Sequence, residues 1–249
     1  MRTVPSITCG RCASHVFRLI ATSALFGGLV FGSATPAAAD DPRPWLEQQV
    51  DLSFGIGNTL VPQVSYQLHF RLFGNDVRLY LGPGVRVFGT AGSGWRLASE
   101  NAPGDNFLDG DSSVDAIVAN DVFVGSINLG VYLRLALGDH WEIGINTDLI
   151  GISFGGSTSG TFIRDGNGEV IPVDDIQPAT LSVFPVSGSY NTEMLWVGYY
   201  VVPELMIRAG FLFSDYKYRI PSGSVSDPRS DTFERIYPMG LLGMTYTLR

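Results

Sequence analysis

The feature that most constrains this chain is an alternation of apolar and polar residues, in segments of about ten residues, from residue 47 to the end. In the clearest segment, 127–137, every odd position is Ile, Leu or Val, and the even positions are Asn, Gly, Tyr, Arg and Ala. Successive side chains of a β-strand point to opposite faces, so this period predicts strands with one apolar face.

The same pattern predicts eight strands, at about 50–56, 64–72, 77–87, 127–137, 141–149, 194–202, 205–213 and 242–248. The sixth segment is irregular because it is apolar on both faces. Pro83 interrupts the third segment, and a proline inside a strand indicates a bulge or a sheet edge because it cannot donate to the ladder.

The connections between these segments differ in length according to their position. Tight turns are predicted at 74–76, 138–140 and 203–204, and 57–62 is also short, whereas long polar loops are predicted at 90–115, 151–192 and 215–233. The tight turns place the longer connections at the opposite end of the sheet, which predicts a closed barrel with two unlike rims. Within the longest loop, 161–163 and 170–171 flank a Gly-rich turn and predict a small protruding hairpin.

The N-terminus has the three parts of an export signal. Basic residues come first, an apolar stretch follows at 19–31, and small residues end at Ala39. We therefore predict a signal peptide at 1–39, a short N-terminal segment at 40–46 and a barrel domain at 47–249. An uncleaved anchor helix is the alternative, although the apolar stretch is shorter than the roughly 20 residues of a typical span.

Alternation alone does not distinguish a water-soluble barrel, which is apolar inside, from a membrane barrel, which is apolar outside. The predicted polar faces carry Gly, Ser, Thr, Asn and charges of both signs but no lysine, which is typical of a narrow lumen. We expect the charged residues of these faces to pair across the lumen and close it; the alternative is that they are hydrated near the rims. The candidate lumen ion-pair network comprises Asp51, Arg71, Arg78, Arg86, Arg134, Glu142, Asp148 and Arg208.

With the export signal, the strand count and the alternating loop lengths, residues 47–249 resemble the small eight-stranded bacterial outer-membrane barrels of the OmpA transmembrane domain, OmpX or OmpW type. The resemblance implies an all-β, antiparallel, up-and-down transmembrane barrel with both termini in the periplasm and the long loops outside the cell. It also implies outer-membrane lipid, lipopolysaccharide and the barrel assembly machinery as partners. The last strand ends in Tyr246, Leu248 and Arg249 instead of the aromatic residue common in that family.

We expect a structural or surface-interaction role through acidic extracellular loops, with no identified extracellular ligand. A narrow channel or hydrophobic-solute conduit is the first alternative, and a lipid A modifying acyl hydrolase is the second. For the hydrolase, only His69 and His140 are available after residue 39, and neither lies in a motif with a serine.

No catalytic, cofactor or metal site is predicted. Cys9 and Cys12 lie in the predicted signal peptide, and the acidic stretches 109–115 and 165–169 are incomplete as calcium loops. The formal net charge of −8 makes nucleic acid an unlikely partner class on electrostatic grounds.

Overall fold

A computed structural model describes residues 45–73, 77–99, 115–164, 170–185, 187–221, 223 and 231–248. These residues form eleven β-strands: β1 (Leu46–Ile56), β2 (Leu60–Phe73), β3 (Val77–Ser99), β4 (Ala116–Leu137), β5 (Trp141–Phe154), β6 (Thr158–Ile163), β7 (Val170–Pro178), β8 (Leu181–Val183), β9 (Tyr190–Val202), β10 (Leu205–Arg219) and β11 (Thr232–Leu248). Within the described ranges, no helix has the length and apolar character needed to cross a membrane.

Eight of the strands close into an antiparallel up-and-down ring, as the sequence predicts. The order is β1–β2–β3–β4–β5–β9–β10–β11, and β11 returns to pair with β1, for example Tyr246 with Val50. We call this the lower ring. The tight turns 138–140 and 203–204 and the two ends of the described chain lie at one rim, where Gln48 pairs with Leu248. The predicted turn 74–76 lies outside the described residues.

Side chains in the lower ring alternate as expected, with apolar residues outward and polar residues inward. On β4, Ile127 and Leu129 are exposed, whereas Asn128 and Arg134 are buried.

Pro83 lies in an interior strand with no register shift beside it, so the predicted bulge or edge is wrong. The β2–β3 ladder lapses between the pairs Gln67–Gly84 and Phe70–Leu81, which accommodates the missing donor.

A β-bulge explains the irregular sixth segment. The β9–β10 register shifts between Leu195 and Glu193, and Met194 and Leu195 both face outward with exposed fractions of 57% and 48%. Before the bulge, odd-numbered residues such as Glu193 point inward; after it, even-numbered residues such as Trp196 do. The bulge therefore places two successive apolar residues on the outer face, while the buried aromatic residues Trp196 and Tyr200 make the inner face apolar as well.

The strands extend well beyond the predicted limits, so the prediction of long polar loops is largely wrong. β3 runs to Ser99, β4 begins at Ala116, and much of 151–192 is strand. The predicted hairpin is present as β6 and β7, which pair through Ile163 and Val170. Residues 165–169 of its turn lie outside the described residues.

These extensions form a second ring above the first. The upper ends of β3, β4, β10 and β11 join β6 and β7 in the closed order β11–β3–β4–β6–β7–β10. We call this six-stranded ring the head. Its interior is apolar, as in a water-soluble protein, and its core includes Trp95, Leu97, Ile117, Phe162, Val173, Ile176, Tyr216, Tyr218, Phe233 and Tyr237.

Candidate functional site: the barrel interior

Charged side chains fill the interior of the lower ring, carried there by inward positions on six of its strands. Each is at most 3% exposed: Glu47, Asp51, Arg86, Arg134, Glu142, Asp148, Glu193 and Arg208. We call this set the lumen network. Removing a charge from water is costly unless a partner of opposite sign is in contact, so the pairing of each arginine matters.

Of the three arginines in the lumen network, Arg134 on β4 lies nearest the tight-turn rim. Its Nη1 donates to both carboxylate oxygens of Glu142, at 2.7 and 2.9 Å, and its Nη2 donates to Glu47. The guanidinium lies over the ring of Tyr80, 4.2 Å from the centroid. The Tyr200 hydroxyl also donates to Glu142, at 3.2 Å. The guanidinium is thus held by two carboxylates and one aromatic face.

Arg208, on β10, has the same kind of environment. It donates to Asp51 in a bidentate geometry, from Nε at 2.7 Å and from Nη2 at 2.6 Å. Its Nη1 donates to Glu193, and its guanidinium lies 5.3 Å from the ring of Trp196. Thr245 supplies a further donor to Asp51, at 2.9 Å.

Arg86, on β3, completes the set and links it together. Its Nη1 is 3.3 Å from Asp148, and its Nη2 is 3.3 Å from the same Glu193 that pairs with Arg208. Nη2 also donates to Asn146, and the guanidinium lies 5.5 Å from the ring of Tyr132. Glu193 therefore bridges two arginines from different strands.

Two of the candidate residues lie apart from the lumen network. Arg78 is at the tight-turn rim, where its Nη2 donates to Gly138 O at 2.6 Å and to Asp139 at 3.2 Å. Arg71 is half-buried near the same end of β2. Arg78 is itself buried, and only its partner Asp139 is exposed, so the alternative of hydrated charges at a rim describes neither Arg78 nor the lumen network.

Sequence reasoning missed Glu47 and Glu193, both of which are buried here. Glu47 lies before the first apolar residue used to place the first strand, although it shares the odd-numbered phase of Asp51. Glu193 precedes the bulge that obscures the alternation of β9. Extending the first strand's alternation backward would have found Glu47; no comparable signal points to Glu193.

The two histidines considered for catalysis are far from a nucleophilic arrangement. His69 is buried on β2 with its ring edge toward Tyr132, at 6.3 Å between centroids, and His140 is exposed in a turn and stacks on Tyr199. Among the described residues, neither imidazole contacts a serine hydroxyl.

Metal binding has no candidate in the described part of the chain, where no three His, Cys, Asp or Glu residues are grouped to hold an ion. The predicted calcium-loop fragments fall mostly outside the described residues, at 109–114 and 165–169.

An apolar layer lies above the lumen network, in the head. Trp95 packs against Tyr216 and Tyr237, with 5.2 Å between ring centroids in both pairs, and Phe162 packs against Phe233. Burial raises the pKa of Tyr218 well above its usual value. The interior therefore has a charged, paired lower layer and an apolar upper layer, and both are packed with side chains.

Comparisons with known proteins identify no family for the chain. No protein-family model matches the chain, and no curated protein matches it. Among solved structures it is similar to Neisserial surface protein A, with 10% sequence identity over 82% of this chain and 96% of that chain and a TM-score of 0.32. At that TM-score the likeness carries no weight for function.

Proposed function

We propose that this chain is an integral outer-membrane β-barrel with a closed interior, whose role is structural or surface-interacting. The observation that carries the proposal is the inverted polarity of the lower ring: an apolar outer face encloses a buried, charged interior. A water-soluble barrel of this size would place its apolar side chains inside, as the head does.

The height of the apolar outer face fits a bilayer. On β3 it runs from Val77 to Val87, and ten residues at about 3.3 Å each, tilted by roughly 40°, span about 25 Å along the barrel axis. This is about the height of the apolar band of outer-membrane barrels.

Exposed aromatic residues lie at the tight-turn rim, where Trp141 contacts Tyr199 at 4.9 Å and Trp45 contacts Phe70 at 6.0 Å. Such rings are suited to a membrane interface.

The head supports a surface role. Its outer face is polar and carries exposed charges of both signs, among them Asp121, Asp174 and Arg219. Because the strands of the lower ring continue into the head without a linker, the described part of the head is held at a fixed height above the membrane. Partners that contact the protein from outside would therefore meet a rigid polar surface.

A channel is the weaker alternative, because the lumen network and the head core both occupy the path an ion would take. The lipid A hydrolase is weaker still, since neither histidine has a nucleophile. His69→Ala and His140→Ala variants are expected to leave lipid A composition unchanged in cells. A change in acylation with either variant would revive the enzyme hypothesis.

The proposal is tested by expressing the full chain, isolating washed outer membranes and comparing electrophoretic mobility of unheated and boiled samples. A heat-dependent shift of protein found in that fraction is expected of a closed barrel that resists detergent. Recovery from the soluble periplasm without a shift would contradict the proposal and favour a lipocalin-like binder.

A further inference from the structure

The step from eight strands to six leaves a notch in the barrel wall. β1 and β2 end at the turn 57–59, which contacts β3 through a 2.8 Å hydrogen bond between the hydroxyls of Thr59 and Thr90. Above this turn β3 and β11 meet, but their ladder is only two pairs long, at Ser99–Phe233 and Ala98–Glu234. Between the turn and those pairs lies the notch, bordered by 91–97 of β3 and 235–238 of β11.

Arg235 lies in this notch. By alternation it belongs to the inward-facing set of β11, with Phe233, Tyr237 and Met239, which are all buried. Arg235 is nevertheless partly exposed, as expected of an inward side chain behind an opening in the wall. It differs from an ordinary surface arginine because its guanidinium contacts both borders of the notch, at Arg96 O on β3 and at the Tyr237 ring on β11.

Within the described ranges, the contacts of Arg235 orient its guanidinium without neutralising it. Nη1 donates to Arg96 O at 3.0 Å, and the guanidinium lies over the Tyr237 ring, 4.4 Å from the centroid. Among the described residues it contacts no carboxylate, and the adjacent Glu234 pairs with Lys217 at 3.0 Å. Each arginine of the lumen network, by contrast, has two carboxylates.

The position of the notch indicates what the anionic partner is. Ile56 and Leu60, at the ends of the two strands below it, are 49% and 54% exposed and belong to the apolar outer face. Arg235 lies three residues along β11 beyond Pro238, whose partner Phe213 is also on that face, and so about 10 Å further along the strand. A ligand seated here would have acyl chains against the apolar face and an anionic group at the arginine.

We propose that the notch binds the phosphate of a phosphorylated glycolipid from the outer leaflet, with Arg235 as the phosphate ligand and Tyr237 and Arg96 O as the groups that orient it. Arginine suits this role because its planar fork matches phosphate oxygens and it remains charged at all relevant pH values. The inference rests on the proposed membrane location, because Ile56 and Leu60 contact acyl chains only if the lower ring spans the bilayer.

The test measures binding of bisphosphorylated lipid A to the refolded protein in detergent by native mass spectrometry. Arg235→Gln is compared with Arg219→Gln, which removes an exposed arginine at the end of β10. We expect Arg235→Gln to weaken binding about tenfold and the control to change it by less than roughly twofold. Phosphate-free lipid A is expected to bind the wild type and Arg235→Gln equally.

Equal binding of bisphosphorylated lipid A by wild type and Arg235→Gln would overturn the proposal. The proposal would also be overturned if Arg235→Gln weakened the binding of phosphate-free lipid A as much as that of bisphosphorylated lipid A. In that case the side chain of Arg235 would contribute an apolar contact and not a phosphate contact. Displacement of lipid A by low-millimolar inorganic phosphate would assign the notch to a free anion instead. If Arg235→Gln fails to fold, Arg235→Lys serves in its place. Lysine keeps the positive charge but lacks the planar, forked guanidinium. A binding constant of Arg235→Lys equal to that of the wild type would then contradict the assigned geometry.

The heat-dependent mobility shift separates the two proposals. A wild-type protein without the shift contradicts the membrane barrel itself. A protein that shifts normally and whose lipid A binding is indifferent to Arg235 leaves the barrel standing and removes only the lipid site.

Discussion

At the residue scale, Glu193 is the central residue of the lumen network. It is fully buried, and its two carboxylate oxygens face Arg208 and Arg86, which come from different strands. Asn146 and Gln63 each donate a further hydrogen bond to it, at 2.7 and 2.8 Å. Four residues therefore donate hydrogen bonds to this carboxylate. Loss of the carboxylate would leave these buried donors without compensation, which is costly.

Replacing Glu193 by glutamine is expected to lower the free energy of unfolding by about 3 kcal/mol, because two buried guanidinium groups lose part of their compensating charge. Asp139→Asn is the matched control: Asp139 pairs with Arg78 at 3.2 Å, but its side chain is 75% exposed, so we expect a change below about 1 kcal/mol. Urea unfolding in lipid vesicles, followed by tryptophan fluorescence, measures both. Equal midpoints for the two variants would contradict the assigned role.

Tyr218 gives the head a predicted sensitivity to alkali. Burial raises the pKa of its hydroxyl, which has no hydrogen-bond partner among the described residues. Above about pH 10 the unfolded chain loses this proton while the folded head keeps it, so stability falls as pH rises. We expect Tyr218→Phe to reduce the loss of stability between about pH 10 and 12 and to be near neutral at pH 7. Parallel pH profiles of variant and wild type would show that Tyr218 is not responsible.

Period-two alternation was sufficient to place Asp51, Arg86, Arg134 and Arg208 on the inner face, because the side-chain direction of a regular strand follows from its phase. It did not indicate which acid meets which arginine, since pairing depends on the stagger between strands. Glu193 was missed because one extra residue in β9 reverses the phase next to it.

At the scale of the element, the long strands exchange the polarity of their outward and inward faces along their length. On β4, Val131 is outward in the lower ring and apolar, whereas Asn120, further up the same strand, is exposed and polar. The inward side changes in the opposite sense, from Arg134 to Ile117. If the lower ring spans the bilayer as proposed, the reversal marks the level at which lipid gives way to water.

Arginine substitutions on β4 test this reversal. Val131→Arg is expected to destabilise the inserted protein by about 2 to 4 kcal/mol, because it places a charge in the hydrocarbon near the middle of the apolar band. Asn120→Arg, on the same strand in the head, is expected to change stability by less than about 0.5 kcal/mol. Both are measured by urea unfolding in vesicles. Similar small effects of the two variants would indicate that both positions face water.

The sequence predicted the eight strands of the lower ring but not their continuation into the head. Their outer faces in the head are polar and their segments contain Gly92, Ser93 and Gly94, which resemble turn residues. What makes them strands is pairing with distant segments, such as β4 with β6, and no local pattern specifies such pairing.

At the scale of the whole molecule, two closed rings with opposite interiors are stacked in one chain. The interior of the lower ring is filled by paired charges, and the interior of the head by an apolar aromatic core. Ring closure also removes most open sheet edges, which would otherwise be costly in lipid.

The purified protein in a planar bilayer is therefore expected to give no discrete conductance steps. A porin reconstituted in the same lipid serves as the positive control. Reproducible steps from the wild type would show that the interior opens, and would favour the narrow-channel hypothesis over a structural role.

Spin-label accessibility measures directly whether the outer face of the lower ring contacts lipid. The only cysteines, Cys9 and Cys12, precede residue 40, so single cysteines can be introduced on β3 into a chain that begins at residue 40. In vesicles, nitroxides at Leu81 and Val85 are expected to be accessible to oxygen and shielded from a polar nickel reagent, and a nitroxide at Ser93, in the head, to show the reverse. Nickel accessibility at Leu81 and Val85 equal to that at Ser93 would contradict the account, because the apolar face would then be in water.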